Sequence, residues 1–185
     1  MLNYVKRIVN YLFTKGEEMQ TQDYIISKLI PQTHLPYPYD KYACNYRVLQ
    51  SIGEIVSSIN LTKEQIMFLA EHHKDQKYID NSPNSNIFDV YVYKPEDVIN
   101  STLSFLGDGR KAWNCGYVKD GISLNWQNKP ISEFDFSIIK LYQQNKALRH
   151  FVLGDRYYNL LFDPTPNSIS AQLWNIKDIY LYKIV

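Results

Sequence analysis

Cys44, His150 and Asp163 are the residues of this chain whose types could together carry out covalent chemistry. A thiolate attacks a carbonyl carbon, an imidazole moves the proton near neutral pH, and a carboxylate on the far ring nitrogen fixes the tautomer. The corresponding reaction is acyl transfer from an amide bond to sulfur, followed by hydrolysis of the thioester. It needs the sulfur at the positive end of a helix, where an anion is favoured, and the histidine held beside the acid.

The elements around these residues suit that placement. Residues 35–43, LPYPYDKYA, read as extended or turning, because proline restricts both itself and the residue before it. From Cys44 the chain runs CNYRVLQSIGEIVSSI, and Val48, Leu49, Ile52, Ile55, Val56 and Ile59 mark one apolar face of a helix that Cys44 heads. The other reading of this thiol is a small buried residue that begins a core helix.

Downstream, FSIIKLYQ (136–143), ALRHFVLGD (147–155) and RYYNLLFDP (156–164) have strand length, with a turn-like QNK between the first two. They predict three antiparallel strands. A turn centred on Arg156 and Tyr157 sets Gly154 opposite Asn159, Val152 opposite Leu161 and His150 opposite Asp163, with Phe151 and Phe162 paired on the other face. Opposed Cβ atoms lie roughly 4.5–5.5 Å apart, within reach of a hydrogen bond. A slip of one residue parts the pair. The alternative is a His–Asp contact that only satisfies polar groups at a strand end, with Asp163-Pro164 opening a turn.

A cysteine heading the first long helix, then HFVLGD on one strand and LLFDP on the next, resembles the papain-like cysteine peptidase superfamily. Within it the pattern is most similar to the bacteriocin-processing (double-glycine) peptidase branch, and the resemblance is compatible with a plasmid- or phage-borne bacterial family of that fold. The resemblance spans about residues 35–165. It implies a papain-like fold, with Cys44 as nucleophile, His150 as general base and Asp163 as the orienting residue.

Two departures stand out. The superfamily places a glutamine shortly before the nucleophile to help stabilise the oxyanion; six positions before Cys44 this chain has Pro38, and Gln32 lies twelve before. Losing one oxyanion donor costs roughly 10²–10³ in turnover. Asn45, Tyr46 and Arg47 also stand where small residues often follow the nucleophile. The readings are therefore a cysteine peptidase or amidase, an inactive papain-like binding or structural protein, and a peptidoglycan amidase or endopeptidase.

Bulk composition narrows the classes. A chain of 185 residues with 45% hydrophobic content is sized for one domain with a genuine core. Twenty basic against nineteen acidic residues, net +1, give no electrostatic footprint for nucleic acid or an anionic membrane. A peptide or another amide-containing substrate is the expected partner, and no oligomeric state is implied. With Cys44 and Cys115 as the two cysteines there is no disulfide framework, which fits a reducing cytoplasm. Cys115, in AWNCGYV, reads as a packed strand thiol. The N-terminal apolar run is too short and too polar for a signal peptide or membrane span, so a cytoplasmic location is expected.

No metal or organic cofactor is implied. His72 and His73 are adjacent, point about 100° apart on a helix, and read as a solvated helix end.

The remaining sequence reads as scaffold, with helices first and an antiparallel sheet after them: α+β, in one domain. Leu2, Val5, Val9, Leu12 and Phe13 predict an N-terminal helix ending near Gly16. Thr62 and Gln65 form a capping box, with Leu61 and Ile66 as hydrophobic staple, for a helix running to about His73. Residues 74–86 read as a surface loop or flap, and 88–93 as a short strand. Pro95, Glu96 and Asp97 open a helix that stops at Gly107 or Gly109. Residues 113–118 and 122–126 form a hairpin across Lys119-Asp120-Gly121, and 178–185 alternates as a closing strand. The substrate groove is expected between the Cys44 helix and the sheet edge carrying His150, lined by Trp113, Trp126 and Tyr42.

Overall fold

The chain is described by a computed structural model over residues 22–80, 90–142, 149–166 and 175–185. Helix α1 covers 22–28, and a 3₁₀ turn (Gln32–His34) and the single-turn α2 (Tyr39–Tyr42) lead into α3 (Cys44–Ser57) and α4 (Lys63–Asp75). Next come β1 (Ile79–Asp80), β2 (Tyr91–Val92) and α5 (Pro95–Phe105). Six strands complete the chain: β3 (Ala112–Lys119), β4 (Ile122–Leu124), β5 (Phe136–Tyr142), β6 (Arg149–Asp155), β7 (Leu160–Phe162) and β8 (Asn175–Ile184). The expected helix over residues 2–13, the QNK turn and residues 81–86 of the expected loop lie outside the described residues.

The arrangement is α+β. Strands β3 to β8 form one antiparallel sheet in the order β4-β3-β8-β5-β6-β7, so the closing strand is inserted at the centre. The small pair β1-β2 stands apart from it.

Local signals fixed several boundaries. Thr62 Oγ1 accepts from the Gln65 N–H while Thr62 N–H donates to Gln65 Oε1, the reciprocal capping expected, and Leu61 and Ile66 are both buried. Pro95 starts α5, and Gly107 follows its end at φ 78°. Asp120 and Gly121 both take positive φ, as a tight two-residue hairpin turn requires.

Helix α3 departs from expectation. Its periodicity predicts one apolar face, yet Arg47, Gln50, Ser51 and Glu54 are as fully buried as Val48, Leu49 and Ile52. The helix is central, and its polar residues are answered internally in part, with Arg47 Nη2 and Gln50 Oε1 buried without a hydrogen-bond partner. Arg47 Nη1 meets Glu54 Oε2 at 2.5 Å, Arg47 Nε donates to the Ile30 carbonyl at 2.8 Å, and Glu54 Oε1 accepts the Leu61 N–H at 2.9 Å. The Arg47 guanidinium also lies over the Phe162 ring of β7, 5.6 Å from its centroid.

Close approach of α3 to α5 depends on Gly53. A Cβ there would sit 2.7 Å from Thr102 Cγ2 and 3.0 Å from Thr102 Cβ. Gly53→Val should therefore push the helices apart at a cost of about 1–3 kcal/mol, offsetting any gain in helix propensity. Thermal unfolding should show this as a fall in Tm of roughly 2–4 °C per kcal/mol.

The β6–β7 register also differs from prediction. Gly154 pairs with Leu160 and Leu153 with Phe162, so Leu161 is an extra residue, a bulge, in β7. The predicted pairing is one residue out at the turn and two residues out beyond the bulge. Phe162 consequently faces Leu153 rather than Phe151. The cause is the turn: Asp155 Oδ1 accepts the N–H groups of Tyr157 and Asn159, and Tyr158 takes φ 66°, which makes the connection longer than a two-residue turn.

Candidate functional site

Helix α3 begins at Cys44, preceded by Ala43, which offers no capping side chain. The first-turn N–H groups have no acceptor within α3, so the donor end of the helix is the end that carries the sulfur. Cys44 is 7% exposed, and what is open of it borders a cavity of about 280 Å³.

The Leu161 bulge decides the geometry of the other two residues. A slip of one residue would place Asp163 on the wrong face, but a slip of two preserves the alternation. Asp163 lies just past β7, diagonal to His150 rather than opposite it, and the long imidazole spans the diagonal. His150 Nε2 and Asp163 Oδ1 are 2.8 Å apart, and Asp163 Oδ1 also accepts the Thr165 N–H at 2.8 Å. The Cys44 side chain also hydrogen-bonds the ring. With Nε2 committed to Asp163, Nδ1 is the nitrogen left to the sulfur. The structure therefore brings Cys44, His150 and Asp163 together in the order sulfur, imidazole, carboxylate.

Their electrostatics are coupled. Burial, the largest influence on His150, pushes its pKa down, but the hydrogen bonds to Asp163 and Cys44 and their negative charge together outweigh it and raise the ring to about 9. At neutral pH the imidazole is thus held as a cation against the sulfur.

Other positions differ from the sequence reading. Tyr42 and Trp126 line the cavity, whereas Trp113 does not and is exposed. His73 is fully buried rather than solvated: its Nδ1 is 2.8 Å from Tyr46 Oη, and burial, with help from His72, lowers its pKa to about 4. It is a neutral core residue. Cys115 is buried in β3 with its thiol donating to the Leu181 carbonyl, and burial pushes that thiol up. Pro38 accepts from the Lys41 and Tyr42 N–H groups and caps α2, so it offers no donor. Gln32 is buried, and its N–H donates to the carbonyl of Pro164, next to Asp163. Among the described residues no group of three or more His, Cys, Asp or Glu could hold a metal ion, and no helix is long and apolar enough to cross a membrane.

The sequence reading missed the floor of the cavity. Ile138 and Lys140 of β5, Arg149 and Phe151 of β6, and Tyr180 and Tyr182 of β8 line it from one sheet face. The signal was period-two alternation in all three strands, which marks shared faces only once strand order is known.

Comparison with protein-family models, with curated proteins and with solved structures finds no match to this chain.

Proposed function

We propose that the protein is a cysteine peptidase or amidase of papain-like fold, with Cys44 as nucleophile, His150 as acid and base, and Asp163 as the group that orients the ring. The observation that carries this reading is the contact chain from sulfur to imidazole to carboxylate, whose first member, Cys44, also lines a cavity.

The reaction follows from that order. The Cys44 thiolate attacks the amide carbonyl, a C–S bond forms, and the oxyanion meets N–H groups of the first turn of α3. The imidazolium gives its proton to the nitrogen, the C–N bond breaks and the amine leaves. Water then attacks the thioester while His150 takes a proton from it; the C–S bond breaks, the acid leaves, and the thiolate–imidazolium pair is restored. Asp163 keeps Nδ1 aimed at the sulfur throughout.

A catalytically inactive binding protein of the same fold is the second reading, favoured by Pro38 in place of a donor. Thiol reactivity separates the two. Limiting iodoacetamide at mildly acidic pH should modify Cys44 at least about tenfold faster than Cys115, whose thiol is buried and raised. His150→Ala should slow the Cys44 reaction. Equal, slow labelling of both cysteines by intact mass and peptide mapping removes the enzyme reading.

A further inference from the structure

The cavity beside Cys44 has a one-sided charge. Its lining includes Lys140 and Arg149 and no Asp or Glu. Lys140 is already neutralised by Asp178 at 3.0 Å. Arg149 is exposed, and no hydrogen bond or ion pair to its guanidinium is found among the described residues. It precedes His150 in β6, so strand alternation sends the two side chains to opposite sides: His150 toward Asp163, Arg149 toward the cavity. The rest of the floor is aromatic, with Phe151, Tyr180 and Tyr182 below and Trp126 at the rim. At about 280 Å³ the space is near the lower end of ligand sites and suits one or two side chains.

We infer that this cavity binds a peptide bearing a carboxylate beside an aromatic or apolar residue, with Arg149 as the specificity-determining group. The inference rests on the proposed role of Cys44 only in calling that peptide a substrate. A guanidinium in a partly enclosed, ring-lined site matches a carboxylate with two parallel N–H donors, and the amide isostere of that carboxylate loses the charge-assisted pair. The carboxylate could be a Glu side chain or a chain terminus, which share this chemistry.

Titration calorimetry of the full chain with three peptides tests it: acetyl-Tyr-Glu-amide, acetyl-Tyr-Gln-amide and acetyl-Tyr-Gln with a free C-terminus. At least one acid should bind about tenfold more tightly than the neutral amide, and which one does so identifies the source. Arg149→Gln should abolish the preference and Arg149→Lys should keep part of it. Equal binding of all three, no binding of either acid at millimolar concentration, or a preference that survives Arg149→Gln overturns the inference. Because calorimetry needs no turnover, an unreactive Cys44 would sink the enzyme reading without deciding this one.

Discussion

His150→Ala should lower turnover of an amide substrate by roughly 10⁴-fold or more, because in the proposed reaction the imidazole serves both steps: it holds the thiolate and it protonates the departing amine. Steady-state kinetics against a chromogenic peptide amide measures it. A loss below about tenfold would mean another group moves the proton. Asp163→Asn distinguishes holding the ring from charging it. In the parent, activity should fall on the alkaline side near pH 9, where His150 loses its proton. Without the carboxylate, burial acts with less opposition, and that limb should move to lower pH.

Stability should follow the same sign. The folded-state pKa of about 9 lies above the ordinary value of 6.5, so the folded chain holds this proton more tightly than the unfolded one. The part of this shift that Asp163 supplies contributes stability that is fully present below about pH 6.5 and fades as pH rises through 9. Tm measured across that window should slope downward, and Asp163→Asn should flatten the slope.

Glu54→Ala should be the most damaging substitution away from the proposed triad, costing about 3–5 kcal/mol, since it leaves the Arg47 guanidinium charged and unpaired in a fully buried position. At 2–4 °C per kcal/mol for a chain of this size, Tm should drop by roughly 6–20 °C. A paired replacement, Arg47→Met with Glu54→Leu, removes the stranded charge but leaves the Ile30 carbonyl and the Leu61 N–H without their partners. It should therefore recover part of the loss rather than all of it. A single Glu54→Ala variant that melts within 2 °C of the parent would show that solvent reaches the guanidinium. The pair matters for the site because its Arg47 lies one turn from Cys44 and over the Phe162 ring, next to Asp163.

Elements with local signatures were legible in the sequence. The capping box, the proline-led helix, the Asp120-Gly121 turn and the three strands from Phe136 to Phe162 are each written within a few residues. What was not legible depended on partners distant in sequence. His73 looked like a helix end because nothing nearby announces Tyr46, 27 positions earlier, as its hydrogen-bond partner. Arg47 and Glu54, two turns apart on one helix, carried a readable spacing, but only burial of the whole helix makes them a pair. The sequence predicts the juxtaposition of His150 and Asp163 through a hairpin register that the Leu161 bulge changes, and the contact stands because the one-residue offsets at the turn and at the bulge add to an even shift.

The bulge sets a rule for how this hairpin can change length over evolutionary time. Deleting a single residue between Asp155 and Phe162 would swing the carboxylate to the reverse side of the ribbon, away from the ring. Losing two, Leu161 together with one turn position, would leave the partnership intact. Descendants that keep the chemistry should therefore differ here by even steps, whereas an odd-length variant should be a record of lost function.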